Sequence, residues 1–226
     1  RTNILLIGVD ASDSYTHHAD SVILLTYGMF SGSVSIISVP RDSLVNDPKR
    51  GAIKLTEVYT YSYPWGGKQK ACADLVRTVS AMFSLRIPYY CQIDYDGFIK
   101  LVDYFGGVDL QVKKRMRYAD REAGLKIDLY PGFQHLDGSE SIEFVRFRKD
   151  KLGDLGRVQR QQYFLASFAK QVKKKVGLSD LPAVSREVFK AVNTNMSLTE
   201  TLRLARRLHK MDLSQIITFS TPGGDA

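Results

Sequence analysis

Residues 2–41 read TNILLIGVDASDSYTHHADSVILLTYGMFSGSVSIISVPR, and the apolar runs and polar breaks in this stretch decide the fold. Thr2 to Val9 has the length and β-branched content of a buried strand. Ala11 to Ala19 is polar and is expected to be a loop. Val22 to Tyr27 and Ser33 to Val39 give two more strands, and Pro40 closes the last because it cannot donate to a ladder. Five residues, with Gly28 and Gly32 at their ends, separate the second and third strands, which predicts an antiparallel hairpin. In a three-strand meander, the end of the first strand, the start of the second and the end of the third share one sheet edge. Those places carry Asp10, Asp20 and Arg41. Two carboxylates and an arginine there can hold a hard divalent cation beside an anionic oxygen. An Asp–Arg pair that orders a loop is the plainer reading of the same residues.

Further along, residues 43–67 carry Tyr59, Tyr61, Tyr63 and Trp65 before Gly66-Gly67 and are expected to be irregular. Ala71, Leu75, Val79, Met82 and Phe83 predict a helix over 68–85. A strand over 89–93, a helix over 96–105 stopped by Gly106-Gly107 and a strand over 108–112 follow. Asp137-Gly-Ser-Glu140 and Ser197-Leu-Thr-Glu200 have capping-box spacing and open two helices. A long helix is expected over 157–176 and another over 181–192, with Pro182 in its first turn. A last strand over 215–219 stops at Pro222-Gly223-Gly224. Strands and helices mix throughout, with no repeat and no linker. The expectation is one α/β domain over 1–226: a central mixed sheet flanked by helices, an α/β/α sandwich.

The 226 residues are 44% hydrophobic and 25% charged, as in an ordinary globular domain. No apolar run approaches the roughly 18 residues that span a bilayer, and no signal peptide opens the chain. Residue 1 already borders a strand, so the sequence is expected to be a trimmed piece whose leader or anchor lies outside it. The net charge of +8 is unevenly spread. Residues 1–45 hold two basic and four acidic residues, whereas 111–175 hold sixteen basic and eight acidic. That local excess points to an anionic partner: nucleic acid, lipid headgroup, sugar phosphate or pyrophosphate. Lys170, Lys173, Lys174 and Lys175 before Gly177 read instead as a helix C-terminus. Cys72 and Cys91 have no CxxC spacing and are expected to be buried thiols, with a disulfide open to an extracytoplasmic domain. The G-x-G-x-x-G, P-loop, G-x-S-x-G and HExxH patterns are all absent.

A second constellation is Arg146-Phe-Arg148 followed by Asp154-Leu-Gly-Arg157-Val-Gln-Arg160-Gln161. Arg146 and Arg148 share a face if their segment is extended. Arg157, Arg160 and Gln161 share a face of the expected long helix's first turn, whose free N–H groups favour an anion. Arginine grips phosphate in a bidentate fork and keeps its charge. Four arginines and a glutamine within sixteen residues suit a pyrophosphate. A salt-bridged surface helix would need more local counter-ions than Asp150 and Asp154.

These segments, with Ser38-Val-Pro-Arg41-Asp42-Ser43, Phe105-Gly-Gly-Val-Asp109, Leu136-Asp-Gly138 and Asn193-Thr-Asn195, resemble the catalytic domain of the LytR–CpsA–Psr cell-wall glycopolymer ligases. The resemblance covers nearly the whole chain in the family's order. It implies an enzyme on the outer side of the cell membrane, held by an N-terminal transmembrane helix. It implies transfer of a glycopolymer, such as teichoic acid, from a polyprenyl-pyrophosphate carrier to peptidoglycan through a phosphodiester. It also implies an apolar channel for the carrier, with Leu75, Val79, Phe83, Phe98, Leu101, Phe164 and Phe168 as candidate walls. Mg2+ (or Mn2+) carries over to Asp10 and Asp20. Pyrophosphate binding carries over to Arg41, Arg148, Arg157 and Gln161, with Arg146 and Arg160 as supporting matches. Arg41, Arg148 and Arg157 are the expected catalytic cations, and Asp42 is the candidate for the acceptor proton. His18 departs from the family's usual Arg, Ala11 to Ser14 lack the arginine often found there, and Lys54-Leu-Thr56 replaces Lys-Ile-Asn. Two other readings use the same residues. Water in place of the sugar hydroxyl would give a lipid-pyrophosphate hydrolase, and a non-catalytic module would bind nucleic acid or an anionic wall polymer. Nucleic acid is not the expected partner, because Asp10 and Asp20 would repel a polyanion.

Overall fold

The computed structural model describes residues 2–10, 17–28, 33–120, 125–149, 153–213 and 216–221. Ala11 to Ser14, Gly32, Asp150, Gln215, the Pro222-Gly223-Gly224 stop and the side chain of Asp154 lie outside what it describes. The chain divides into two compact units, residues 1–95 with 182–226, and residues 96–181.

In the first unit, β1 (Thr2–Asp10), β2 (His18–Tyr27) and β3 (Val34–Val39) form the expected antiparallel meander. β2 begins at His18, earlier than its apolar run, because pairing with β1 extends to Asp10 opposite His18 and carries polar residues into the ladder. Residues 43–67 are ordered, against expectation. They form β4 (Leu44–Asp47), β5 (Gly51–Lys54), α1 (Leu55–Ser62) and a 3-10 turn (Tyr63–Trp65). Leu55, Val58 and Tyr59 have helical spacing and enter the core, a signal hidden among the aromatic residues. α2 (Gly67–Phe83) buries Ala71, Cys72, Leu75 and Val79 as its periodicity predicts. β6 (Tyr89–Asp94) runs parallel to β1.

Burial shapes the chemistry of this core. Cys72 and Cys91 are free thiols, and burial pushes both up to about 12. The sign follows from linkage: below the ordinary value of 9.0 the unfolded thiols are neutral and nothing is lost. As pH rises from there toward about 12, the unfolded chain ionises first and stability falls. A disulfide-exchange reagent at pH 8 is expected to leave Cys72, which is fully buried, unreacted in the folded protein and to titrate two thiols after unfolding.

The second unit comprises α3 (Tyr95–Tyr104, from Asp96 on), β7 (Val108–Val112), β8 (Met116–Asp120), β9 (Leu125–Leu129), β10 (Gly132–Leu136), α4 (Gly138–Arg146) and α5 (Gly153–Lys175). β8, β9 and β10 have no counterpart in the sequence reading. β7 pairs with β10 and β8 with β9, both antiparallel. Gly106 and Gly107 both take φ of +72°, the left-handed turn expected after α3. The basic cluster at the end of α5 has a structural use: Lys175 Nζ donates to the Phe105 and Gly106 carbonyls at 3.0 and 3.3 Å, capping α3. α5 also shields an edge of β7. Gln171 pairs with both backbone groups of Asp109 at 2.8 and 2.7 Å, and the Gln111 N–H donates to the Tyr163 hydroxyl at 3.0 Å.

The chain then returns to the first unit through α6 (Leu181–Ala191), β11 (Asn193–Thr194), α7 (Leu198–Lys210) and β12 (Ile216–Ser220). The sheet order is β11-β6-β1-β2-β3-β12, with β12 parallel to β3 and β11 antiparallel to β6. This is the expected mixed sheet. Leu5, Ile7 and Val9 are buried on one face and Ile4 with Ile36 on the other, which requires cover on both sides. Asn195 holds the β6 end: it accepts from the Tyr90 N–H and donates to the Pro88 carbonyl, both at 2.9 Å.

Candidate active site

A β-bulge builds the site of the first unit. Gly8 pairs with Ser21 and Val9 with Ala19, so β2 carries one extra residue between those pairs, and that residue is Asp20. Core membership confirms the count. Leu5 faces Leu24, Ile7 faces Val22 and Val9 faces Ala19, all six in one core, although Ala19 and Val22 are an odd number of residues apart. The close approach needs Gly8, where a Cβ would lie 3.1 Å from the Ser21 Cβ.

Asp20 accepts a charge-assisted hydrogen bond from Arg41 Nη1. Arg41 Nε lies 3.6 Å from Asp42 Oδ2, and Lys54 Nζ lies 3.0 Å from Asp42 Oδ1. The backbone fixes this turn: the Ser43 N–H donates to the Pro40 carbonyl at 3.0 Å, Leu55 N–H to Ser43 at 2.8 Å, and Thr56 N–H to Arg41 at 2.9 Å. Arg41 therefore sits against the first turn of α1, with Lys54 as that helix's N-cap residue. Asp10 ends β1 opposite His18. His18 is held by α1, with Nδ1 3.2 Å from Thr60 Oγ1. The expected meeting of Asp20 and Arg41 at one sheet edge is thus observed, with Asp10 at that same edge.

Two residues here were not among the sequence-derived candidates. Lys54 supplies a cation to the Asp42 side of the cluster; in the sequence it stood out only as the first residue of Lys54-Leu-Thr56, within a stretch expected to be irregular. Asp94 ends β6 opposite Val9, so a third carboxylate reaches this edge, with Lys68 Nζ 3.5 Å from its Oδ2. Its position follows from a parallel pairing of distant segments, which no local pattern reveals.

The donor set fits a hard cation. Among the described residues no group of three or more His, Cys, Asp or Glu is placed to hold a metal. Zinc, which takes three or four protein ligands, is poorly served. Mg2+ commonly takes one or two carboxylates and completes its shell with water and phosphate oxygens. Asp10 and Asp20 match that demand.

In the second unit, Asp137 accepts from the Glu140 N–H at 2.8 Å, and Glu140 Oε2 accepts from the Asp137 N–H at 3.1 Å. The expected capping box therefore starts α4. Ser141, Phe144 and Val145 carry the helix inward as far as Arg146. This corrects the extended reading of Arg146-Phe-Arg148: Arg146 is the last helical residue, Phe147 turns extended, and Arg148 is exposed beyond it. α5 likewise begins at Gly153, so Arg157, Arg160 and Gln161 lie past its first turn. Backbone N–H groups there are spent inside the helix, and the free ones precede Arg157. The helix starts four residues before the expected Arg157, taking in Gly153 to Gly156.

Arg157 and Arg160 are only 2% and 9% exposed, while Gln161 is half-buried. With Phe164 and Phe168 they make the inward stripe of α5. Phe164 packs on Phe98 with centroids 5.2 Å apart and on Phe168 at 5.7 Å. Arg160 Nη2 donates to the Phe147 carbonyl, and its guanidinium lies 5.3 Å from the Phe147 ring centroid. Arg160 thereby ties α5 to the C-terminal end of α4 and fixes the segment between Arg146 and Arg148. Of the expected channel walls, Leu75 and Val79 fill the first unit's core with Phe83 at its margin. Phe164 belongs to the second unit's core, with Phe98 and Phe168 at its margin.

The model of the LytR_cpsA_psr family matches residues 1–226. The chain belongs to this family. Within it, the chain is 27% identical over 230 residues to the Bacillus subtilis polyisoprenyl-teichoic acid–peptidoglycan teichoic acid transferase TagV, covering 99% of this chain and 57% of TagV. It is 36% identical over 162 residues to TagU of Oceanobacillus iheyensis, which has the same descriptive name, covering 71% of this chain and 48% of TagU. The chain thus spans about half the length of these curated relatives. The crystal structure of B. subtilis TagV superposes with a TM-score of 0.81 at 25% identity, covering 100% of this chain and 85% of that one. A structure of TagT bound to LIIa-WTA gives 0.74 at 26%, covering 100% and 80%. The LytR_cpsA_psr fold is therefore the mixed sheet with flanking helices described above.

Proposed function

We propose that this LytR_cpsA_psr chain is a transferase that moves a teichoic-acid-type glycopolymer from a polyprenyl-pyrophosphate carrier to peptidoglycan. The observation that carries this reading is the Asp20–Arg41–Asp42–Lys54 cluster at the sheet edge where Asp10 ends. The names of TagV and TagU support the substrate class.

The acceptor hydroxyl of peptidoglycan attacks the glycan-side phosphorus, the bond to the bridging oxygen breaks, and lipid phosphate leaves with that oxygen. One proton is released from the acceptor. Arg41 stabilises charge that grows on the phosphate oxygens, and it enters the reaction pre-aimed because Asp20 and Asp42 hold its fork. Lys54 orients Asp42, the candidate acceptor of the proton. In the second unit, Arg148, Arg157 and Gln161, with Arg146, offer donors suited to phosphate, and Arg160 acts as a positioning residue through Phe147. Mg2+ (or Mn2+), when bound by Asp10 and Asp20, would neutralise phosphate charge as in other phosphoryl transfers. We further place the protein at the extracytoplasmic face of the cell membrane, anchored by an N-terminal helix outside these residues. No helix among the described residues is long and apolar enough to cross a membrane.

Mass spectrometry of the products with polyprenyl-pyrophosphate-linked glycan tests the reading. With peptidoglycan acceptor, glycan joined through a phosphodiester is expected. Free phosphorylated glycan as the sole product, with or without acceptor, would identify a hydrolase instead. Chelation by EDTA is expected to lower turnover by roughly 10²-fold or more, the scale of losing one transition-state charge contact. Mg2+ or Mn2+ should restore it, and turnover indifferent to EDTA would remove the metal from this account.

A further inference from the structure

The second unit carries a feature that the transfer chemistry does not use. Val112, the last residue of β7, pairs with Gly132, the first of β10, and Met116, the first of β8, pairs with Leu129, the last of β9. The two connectors, 113–115 and 130–131, therefore bridge the same ends of the two ladders side by side. One reads Lys113-Lys114-Arg115 and the other Tyr130-Pro131. Arg115 lies over the Tyr130 ring, 3.4 Å from its centroid, and pairs with Asp128. Gln134 donates to the Tyr130 carbonyl and closes the turn. Tyr130 and Phe133 are 64% and 73% exposed, and Lys113, Lys114, Arg117 and Pro131 are exposed around them.

Two exposed rings here adjoin four cations, Lys113, Lys114, Arg115 and Arg117. Rings of this kind partition into the headgroup layer of a bilayer, and adjacent Lys and Arg are drawn to anionic lipid. Lys113, Lys114 and Tyr130 lie on the two connectors, and Arg117 and Phe133 are the second residues of β8 and β10, next to them, so the rings and cations are neighbours at the junction of the two ladders.

We propose that this junction of the two ladders docks on an anionic phospholipid surface, with Tyr130 and Phe133 in the interface and Lys113, Lys114 and Arg117 on the headgroups. The docking is separate from the transfer chemistry, and it is read without turnover.

The test is co-sedimentation of the 226-residue chain with vesicles of phosphatidylcholine containing or lacking 30 mol% phosphatidylglycerol. Binding is expected only with phosphatidylglycerol and is expected to weaken with salt. Lys113→Ser with Lys114→Ser should lower the partition coefficient about 30-fold, the product of a roughly fivefold loss per cation. Phe133→Ser should lower binding at high salt, where the cations contribute least. Trp65, 77% exposed on the first unit, serves as a control. Trp65→Ser should bind as the parent does, and melting curves of all variants should match because the positions are exposed. Four results would each overturn the proposal: equal binding to pure phosphatidylcholine, parental binding by the lysine and Phe133 variants, loss confined to Trp65→Ser, or full displacement by soluble poly(glycerol phosphate) at equal phosphate concentration. The last would make the face a polymer site.

Discussion

Replacing Arg41 with Ala is expected to lower turnover by about 10²–10³-fold while moving the melting temperature little. The reasoning is local. Arg41 is the cation that the turn after Pro40 aims from the end of β3, and it is held by Asp20 and Asp42. Its side chain is 26% exposed, Asp20 is 19% and Asp42 48% exposed, so solvent screens the Asp42 pair most and the ion pairs contribute modestly to folding. Arg41→Lys should recover only part of the rate, because a point charge cannot fill a two-toothed contact. Single-turnover rates from product analysis, read beside melting curves, check both halves. An Arg41→Ala enzyme within tenfold of the parent would take Arg41 out of the chemistry. Arg157→Ala is a less decisive probe than its sequence position suggests. Its burial means that replacement disturbs the inward stripe of α5 as well as any anion contact.

Gly138→Ala is expected to damage the fold strongly for so small a change. Gly138 opens α4 directly against α3. A Cβ there would lie 2.5 Å from the Ile99 carbonyl oxygen and 2.8 Å from the Ile99 Cα. Those atoms are backbone inside a helix and cannot step aside. The Gly138 N–H also donates to Asp103 Oδ1 at 2.7 Å, so any retreat of α4 strains that contact. Overpacking of this kind typically costs about 1–3 kcal/mol. At the upper end the melting temperature would fall by roughly 6–12 °C for a chain of this size. Thermal unfolding followed by circular dichroism measures it. An unchanged melting temperature would show that α3 and α4 approach less closely than described.

What the sequence revealed and what it hid divide along the range of the interaction responsible. The β1–β3 meander was legible because each strand is an apolar run and the hairpin between β2 and β3 is short. Both capping boxes were legible because a cap is a matter of four neighbouring residues. The placement of Asp20 and Arg41 at one edge followed from the meander. Asp94 did not, since its position depends on β6 lying parallel to β1 across more than eighty residues. β8, β9 and β10 are five residues each and gave no run long enough to notice. The expected start of α5 at Arg157 fell four residues late, because packing of the helix overrides the weak propensity of Gly153 and Gly156. The burial of Arg157 and Arg160 could not be foreseen from residue type, because arginine is rarely buried unless paired.

The bulge at Asp20 also makes the site a matter of parity. A strand shows its residues alternately to two sides, and the inserted residue shifts that rhythm by one half-step. Ala19 and Val22 are thus both kept in the core, and the carboxylate between them is left over for the edge. A lineage that lost one residue between 19 and 22 would regain perfect alternation, a regular ladder and an intact hydrophobic interior. It would forfeit its aspartate with no scar in the packing. Among descendants of this fold, a better-formed second strand would therefore be a sign of lost chemistry, and strand regularity would be a poor guide to fitness.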